Sequence, residues 1–152
     1  ADLKATTTDL LTPLNLAAIN GHLNIVKFLV MEANSDLETT GVHGDTPLLN
    51  ASQHGHLDVL QYLLLEARAD ASATNHDLEN SLHLAVDGGH LDILKFLIAE
   101  AGVDVLATDR NGHTPFVRTS WLLHKRVKAL TDIKNFLKEC EKRAGQSPRS
   151  SL

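Results

Sequence analysis

A single cysteine, Cys140, stands among the 152 residues, so no disulfide can close within the chain, and a reducing, intracellular setting is the expectation. Aromatic residues make up only 4% of the chain, too few to offer stacking platforms for bases, and nucleic acid is not expected as a partner. No apolar run approaches the roughly 18 residues that a membrane span needs, so no direct membrane insertion is expected. The first residues also lack the charged, apolar and small-residue order of a signal peptide. The chain begins at Ala1 without Met, which leaves a processed protein and an excised fragment both open.

What is present is ordinary for a soluble globular protein: 43% hydrophobic and 22% charged residues, in about one domain's length. The net charge of -5 hides an uneven distribution. Residues 1–113 hold sixteen acids against five bases, whereas residues 114–152 hold three acids against nine bases, so an acidic body is followed by a basic end. Such a division steers partners or opposes stacking of two molecules in the same orientation.

Repetition is the dominant signal. Thr12, Thr46, Asn80 and Thr114 stand 34 residues apart, and Gly21-His22, Gly55-His56 and Gly89-His90 keep the same interval, with His124 continuing the histidine column. Leu14, Leu48, Leu82 and Phe116 travel with them, as do Val26, Leu60 and Leu94, the fourth place in that column being Lys128. Four units follow, at about 12–45, 46–79, 80–113 and 114–145, in a domain of 1–145 with a disordered tail at 146–152.

Each unit reads as two helices. Thr or Asn at the N-cap accepts an otherwise orphan backbone N–H, and Pro13, Pro47 and Pro115 stand where a missing donor costs nothing. Gly21, Gly55 and Gly89 end the first helix. The second helix carries an apolar band, Leu23, Ile25, Val26, Leu29 and Val30 in unit one, which only neighbouring units can cover. Asn34 and Gly102 suit a left-handed C-cap after it, whereas Arg68 is either strained there or signals a different geometry. The polar segments that follow, such as DLETTGVHGD, are expected to be extended hairpins projecting from the stack.

These residues resemble the ankyrin repeat family. Thr12-Pro13-Leu14, Ala17-Ala18, Gly21-His22-Leu23 and Ile25-Val26 with Leu29-Val30 match its pattern, as do Thr46-Pro47-Leu48, Gly55-His56-Leu57, Leu82-His83-Leu84-Ala85 and Gly89-His90-Leu91. The resemblance covers roughly residues 9–140. It implies an all-α repeat solenoid of helix-turn-helix units joined by β-hairpin loops. It also implies that His22, His56, His90, His124 and His83 tie loops and repeats together by hydrogen bonds.

Departures from the family pattern are informative. The period of 34 exceeds the usual 33 by one residue before each loop, at about Ala33, Ala67 and Ala101. Asn50 fills a place held by Leu16 and Leu84, so an amide there is either buried and in need of a partner or exposed in a groove. Unit four runs into KRVKALTDIKNFLKECEKRAG, apolar at Val127, Leu130, Ile133, Phe136 and Leu137 and basic on the other side, as a C-terminal cap requires. The first ten residues supply no full capping repeat, so an excised or frayed start is expected.

No reaction chemistry is expected. His43, His54, His76 and His113 lack metal-ligand spacing and any nearby cysteine. Asp77 and Glu79 lie on a solvated loop without an activated nucleophile, and Gly41 to Gly44 lacks the Lys-Ser/Thr ending of a phosphate loop. No catalytic residue, metal or cofactor is assigned. Tyr62 and Phe28 follow the spacing of packing residues, and Cys140 reads as an ordinary thiol.

The resemblance implies a protein-binding surface made of loop tips and the exposed, concave side of the first helices. On this chain that surface maps to Asn20, Val42, His43, Asp45, Gln53, His54, His76, Asp77, Glu79, Asp87, Arg110, Asn111, His113 and Trp121, with Ile19 beside them. Trp121 is open between a binding anchor and packing against the terminal helix. The acidic tips favour another protein or peptide with a basic patch. A non-catalytic scaffold or adaptor, cytoplasmic or nuclear, is the leading functional expectation. The alternative is a regulatory or targeting domain of a larger enzyme, channel or bacterial effector.

Overall fold

Every first helix begins at the cap that the sequence offers. Asn15 N–H donates to Thr12 Oγ1 at 3.3 Å, Leu49 N–H to Thr46 Oγ1 at 3.3 Å, and Val117 N–H to Thr114 Oγ1 at 3.3 Å. Asn80 Oδ1 takes two donors, Leu82 N–H and His83 N–H, each at 3.1 Å. The computed structural model describes residues 6–122 and 127–146, with side chains given for all of these except 121–122 and 127–130. The helices run α1 (Pro13–Ile19), α2 (Leu23–Met31), α3 (Pro47–His54), α4 (Leu57–Gln61, continued by a π-helical turn at Tyr62–Glu66), α5 (Ser81–Gly88), α6 (Leu91–Ala99), α7 (Pro115–Leu122) and α8 (Val127–Gln146).

The residue that lengthens the period is absorbed at the end of each second helix by a wide turn. Ala33 N–H reaches Phe28 O, Ala67 N–H reaches Tyr62 O and Ala101 N–H reaches Phe96 O, each five residues back rather than four. Ser35, Ala69 and Val103 then donate to Leu29, Leu63 and Leu97, six residues back, closing the helix around a left-handed residue. Those residues are Asn34, Arg68 and Gly102, with φ of 50°, 65° and 64°. Arg68 therefore adopts the strained conformation rather than a different geometry.

The connections contain no β-strand among the described residues, and the extended hairpins expected there are not formed as ladders. Short side chains capture the donors that a ladder would use. Asp36, Asp70 and Asp104 each accept the N–H two residues on, and Asn75 and Asp109 each accept two further backbone N–H groups. The loop tips are instead linked in series, Val42 N–H to Asp9 O at 3.1 Å, His76 N–H to His43 O at 3.0 Å and Arg110 N–H to Asp77 O at 2.8 Å.

Stacking buries what no helix pair could bury alone. Helices α1, α3, α5 and α7 pack in an unbroken row, each against its own second helix, and α2 meets α4 while α6 meets α8. Leu48, Leu60, Leu63, Leu82, Leu94 and Leu97 are fully buried along this row, each worth roughly 2–3 kcal/mol of apolar transfer. Ile133 and Leu137 of α8 close the far end, and the exposed Lys138, Lys142 and Arg143 leave its outer side charged. Tyr62 is buried as expected, but Phe28 is 57% exposed because no helix pair among the described residues covers its side of α2.

Histidines lock one pair to the next. His56 Nε2 donates to Ile19 O at 2.8 Å and His90 Nε2 to Gln53 O at 3.1 Å. Each ring lies against the glycine that ends the preceding first helix, so a Cβ on Gly55 would stand 2.4 Å from the His90 ring. His83 is fully buried and donates from Nε2 to His113 O at 3.0 Å. His124 and residues 147–152 lie outside the described residues, so the expected tail is described only at Gln146, which ends α8.

Candidate functional site

The tips and the first helices meet on one side of the molecule around Arg118, which the sequence reading did not single out. Helix α7 carries it into the gap between α5 and two tips. Its guanidinium pairs with Glu79 through Nη2, with Asp87 Oδ1 at 2.8 Å from Nε, and with Asp109 Oδ2 at 3.4 Å from Nη1. Three carboxylates thus share one cation, and all four side chains are mostly buried, Asp109 almost completely.

The network extends toward the second helix pair. Asn75 Nδ2 donates to Glu79 Oε2 at 2.7 Å and to Asp45 Oδ1 at 3.0 Å. At its other end Asp109 Oδ2 lies 3.6 Å from His113 Nδ1. An acidic row therefore runs from Asp45 through Glu79 and Asp87 to Asp109 across three helix pairs, with Arg118 as the cation inside it.

Physical surroundings divide the carboxylates. Burial pushes the Asp87 carboxyl up, and Glu79 and Asp109 add to the rise against the pull of Arg118. Burial would also raise Asp109, but the N–H groups of His113 and Asn111, with the charges of His113 and Arg118, outweigh it and hold Asp109 below its ordinary value. Burial works against the charge on Arg118 too, yet Asp87, Glu79 and Asp109 together raise it above its ordinary value, so it stays a cation.

The expected site residues divide into those the structure brings together and those it does not. Asp45, Glu79, Asp87 and His113 belong to the network. Asp77 and Arg110 form an exposed pair at 3.5 Å, and Arg110 also donates to His76 O, so these tips are joined at the surface. His43, His76 and Asn111 stand exposed on the tips. Asn20 and His54 are exposed at the ends of α1 and α3 and bond back to Leu16 O and Asn50 O. Gln53 is half-buried and gives its carbonyl to His90. Trp121 lies on α7, and its side chain is outside the described residues.

Arg118, Asp109 and Asn75 were missed, although a signal existed. Arg118 falls in the column of Leu16, Asn50 and Leu84, where a cation is out of place in an apolar series. Asn50 itself is 4% exposed and its Nδ2 has no partner among the described residues, so the amide is buried rather than presented in a groove.

Among the described residues, no group of three His, Cys, Asp or Glu side chains comes together as metal ligands, and no helix is long and apolar enough to cross a membrane. Ser72 donates to Asp70 Oδ1 at 2.7 Å in an exposed turn, and that bond holds Asp70 below its ordinary value, which makes it a poor general base. Burial raises the Cys140 thiol, so it is not an activated nucleophile.

The caps, glycine locks and stacked pairs are those of a helical repeat protein, and comparison with protein families agrees. A family model described as ankyrin repeats (3 copies) matches residues 1–75, and one described as ankyrin repeats (many copies) matches residues 73–116. The chain belongs to the ankyrin repeat family. The match starts at residue 1, ahead of the segment in which the resemblance was read. Comparison with curated proteins returned no match. Ankyrin repeats are in general protein–protein interaction modules and are typically non-catalytic.

Proposed function

We propose that this chain is a non-catalytic scaffold or adaptor module that holds another protein on the concave side formed by its first helices and loop tips. Its repeats are counted at about 12–45, 46–79, 80–113 and 114–145, and the tips serve in place of projecting hairpins. The acidic row carries the proposal: Glu79, Asp87 and Asp109 share a single guanidinium and Asp45 joins them through Asn75, leaving an excess of negative charge along the side where the tips converge. A partner segment rich in Lys or Arg complements that charge. Complementarity of this kind speeds encounter and selects among partners. His43, His54, His76, Asp77, Arg110, Asn111 and Trp121 would frame the row, with Asn20 and Gln53 at its far end.

The test is a fourfold substitution, H54A/D77A/R110A/W121A, in a binding titration against a partner captured with the unaltered chain. Saturable binding should weaken by at least tenfold while the helical circular dichroism stays unchanged. Undiminished binding would reject this face. A lysine-rich peptide used as a probe should bind more weakly as salt rises, since the attraction is screened. Binding that is indifferent to salt would remove the electrostatic part of the proposal.

A further inference from the structure

Four loop tips lie among the described residues, and the first of them follows no described helix pair. Leu10, Gly44, Leu78 and Gly112 all have positive φ, at 60°, 82°, 59° and 79°, and stand 34 residues apart. Each donates its N–H three residues back, Leu10 to Thr7 O at 3.0 Å, Gly44 to Gly41 O at 2.9 Å, Leu78 to Asn75 O at 3.0 Å and Gly112 to Asp109 O at 2.9 Å. Residues 7–11 are thus built like the tips at 41–45, 75–79 and 109–113, each of which completes the helix pair before it. The sequence carries the same register, since Ala1-Asp2, Ala5-Thr6 and Asp9-Leu10 repeat at Ala69-Asp70, Ala73-Thr74 and Asp77-Leu78.

The outer face of α1 and α2 has the matching defect. Ile25 is 49% exposed, whereas Val59 and Ile93 in its column are at 0%. Phe28 is 57% exposed against 5% for Tyr62, and Leu16 is 37% exposed against 3% for Leu84. In the later pairs these columns are buried, Phe96 in part, when another pair stacks in front of them. His22 is the third sign: His56 and His90 each donate to a carbonyl 37 residues earlier, while the exposed His22 has no such acceptor among the described residues.

We infer that the outer face of α1 and α2 is a stacking interface for one more helix pair of the chain's own pattern, one that the 7–11 tip would complete. The face is continuous in register with the interfaces that join the other pairs, so its occupant must offer the same apolar complement. A second copy fits less well. The far end of the stack presents the charged Lys138, Lys142 and Arg143, and a separate molecule would leave the 7–11 tip without the pair it closes.

The test builds the occupant from the chain itself. Residues 46–68 copied in front of Ala1 keep the 34-residue register, because Ala1 then follows Arg68 as Ala69 does. Hydrogen exchange of α1 and α2 amides should slow by tenfold or more relative to the unmodified chain. The pair I25D/F28D should abolish that slowing in the extended chain and leave the urea midpoint of the unmodified chain unchanged. Residues 80–102 copied in the same place provide a second version should the first not fold. Failure of both to slow exchange overturns the inference. So does sedimentation of the unmodified chain as a dimer that I25D/F28D dissociates, since a second copy would then fill the face.

Discussion

Replacing Arg118 with leucine asks whether the acidic row or the apolar column governs this position. Leucine is the column's own residue, at Leu16 and Leu84, so a purely hydrophobic account makes R118L neutral or stabilising. The ion pairs say otherwise. At an effective dielectric of about 20, unit charges at the 2.8 Å of Asp87 and the 3.4 Å of Asp109 attract by about 5–6 kcal/mol each before desolvation and the mutual repulsion of the carboxylates are subtracted. Removing one partner from a buried pair costs about 3–5 kcal/mol in practice, because the stranded charge is left without compensation. Arg118 and Asp87 keep 22% and 25% exposure, which places the cost at the low end, and a buried leucine recovers part of it. The expected net loss is about 2–3 kcal/mol at pH 7, measured as a fall in the urea midpoint at constant slope. Without the pull of Arg118, the folded-state pKa of Asp87 rises further above its unfolded value and that of Asp109 rises from below its own. The loss is therefore full above the raised Asp87 value and fades as pH falls through it. Unchanged or greater stability of R118L at pH 7, or a gap that stays constant between pH 7 and pH 4, would refute the reasoning.

Three further outcomes follow from the same geometry. Asn50→Leu restores the column residue and removes an unpartnered buried Nδ2, so it should raise stability by about 1–2 kcal/mol in the same assay; a loss would mean that the amide has a partner. Gly55 and Gly89 both hold left-handed backbone, but only Gly55 has a histidine ring where a Cβ would go, so G89A should cost about 1 kcal/mol and G55A clearly more. Equal costs would remove the His90 lock from the account. Burial is the main cause of the lowered pKa of His83, followed by the opposing bond to the His113 carbonyl. Its contribution is fully present above the unfolded value of about 6.5 and is lost as pH falls toward the folded value, so the stability difference between the protein and H83N should shrink between pH 7.5 and pH 5.5.

The period of 34 made the caps, the glycine ends and the buried columns legible, because each is a local residue choice repeated in register. Arg118 escaped because its three partners lie on α5 and on two separate tips, and only the tertiary fold brings them to one point. The out-of-place amide at Asn50 was noticed, while the cation two units later in the same column was not. Phe28 had the spacing of a packing residue and is exposed, since spacing tells which face is apolar but not whether a neighbour covers it. The loops carried turn residues that suit hairpins. Their Asp and Asn side chains take the backbone donors instead, and that competition is visible only when the partners are seen.

Photo-crosslinking from defined positions tests the proposed binding side most directly. A photoreactive residue at Asp77 or Asn111 samples the tips, and one at Glu66 or Lys95 samples exposed positions on the second helices. In cells that make the protein, the tip positions should yield one saturable adduct whose amount falls as salt is raised during binding, and the second-helix positions should yield none of it. The same adduct formed equally from Glu66 and Lys95, or only from them, would contradict recognition through the first helices and loop tips.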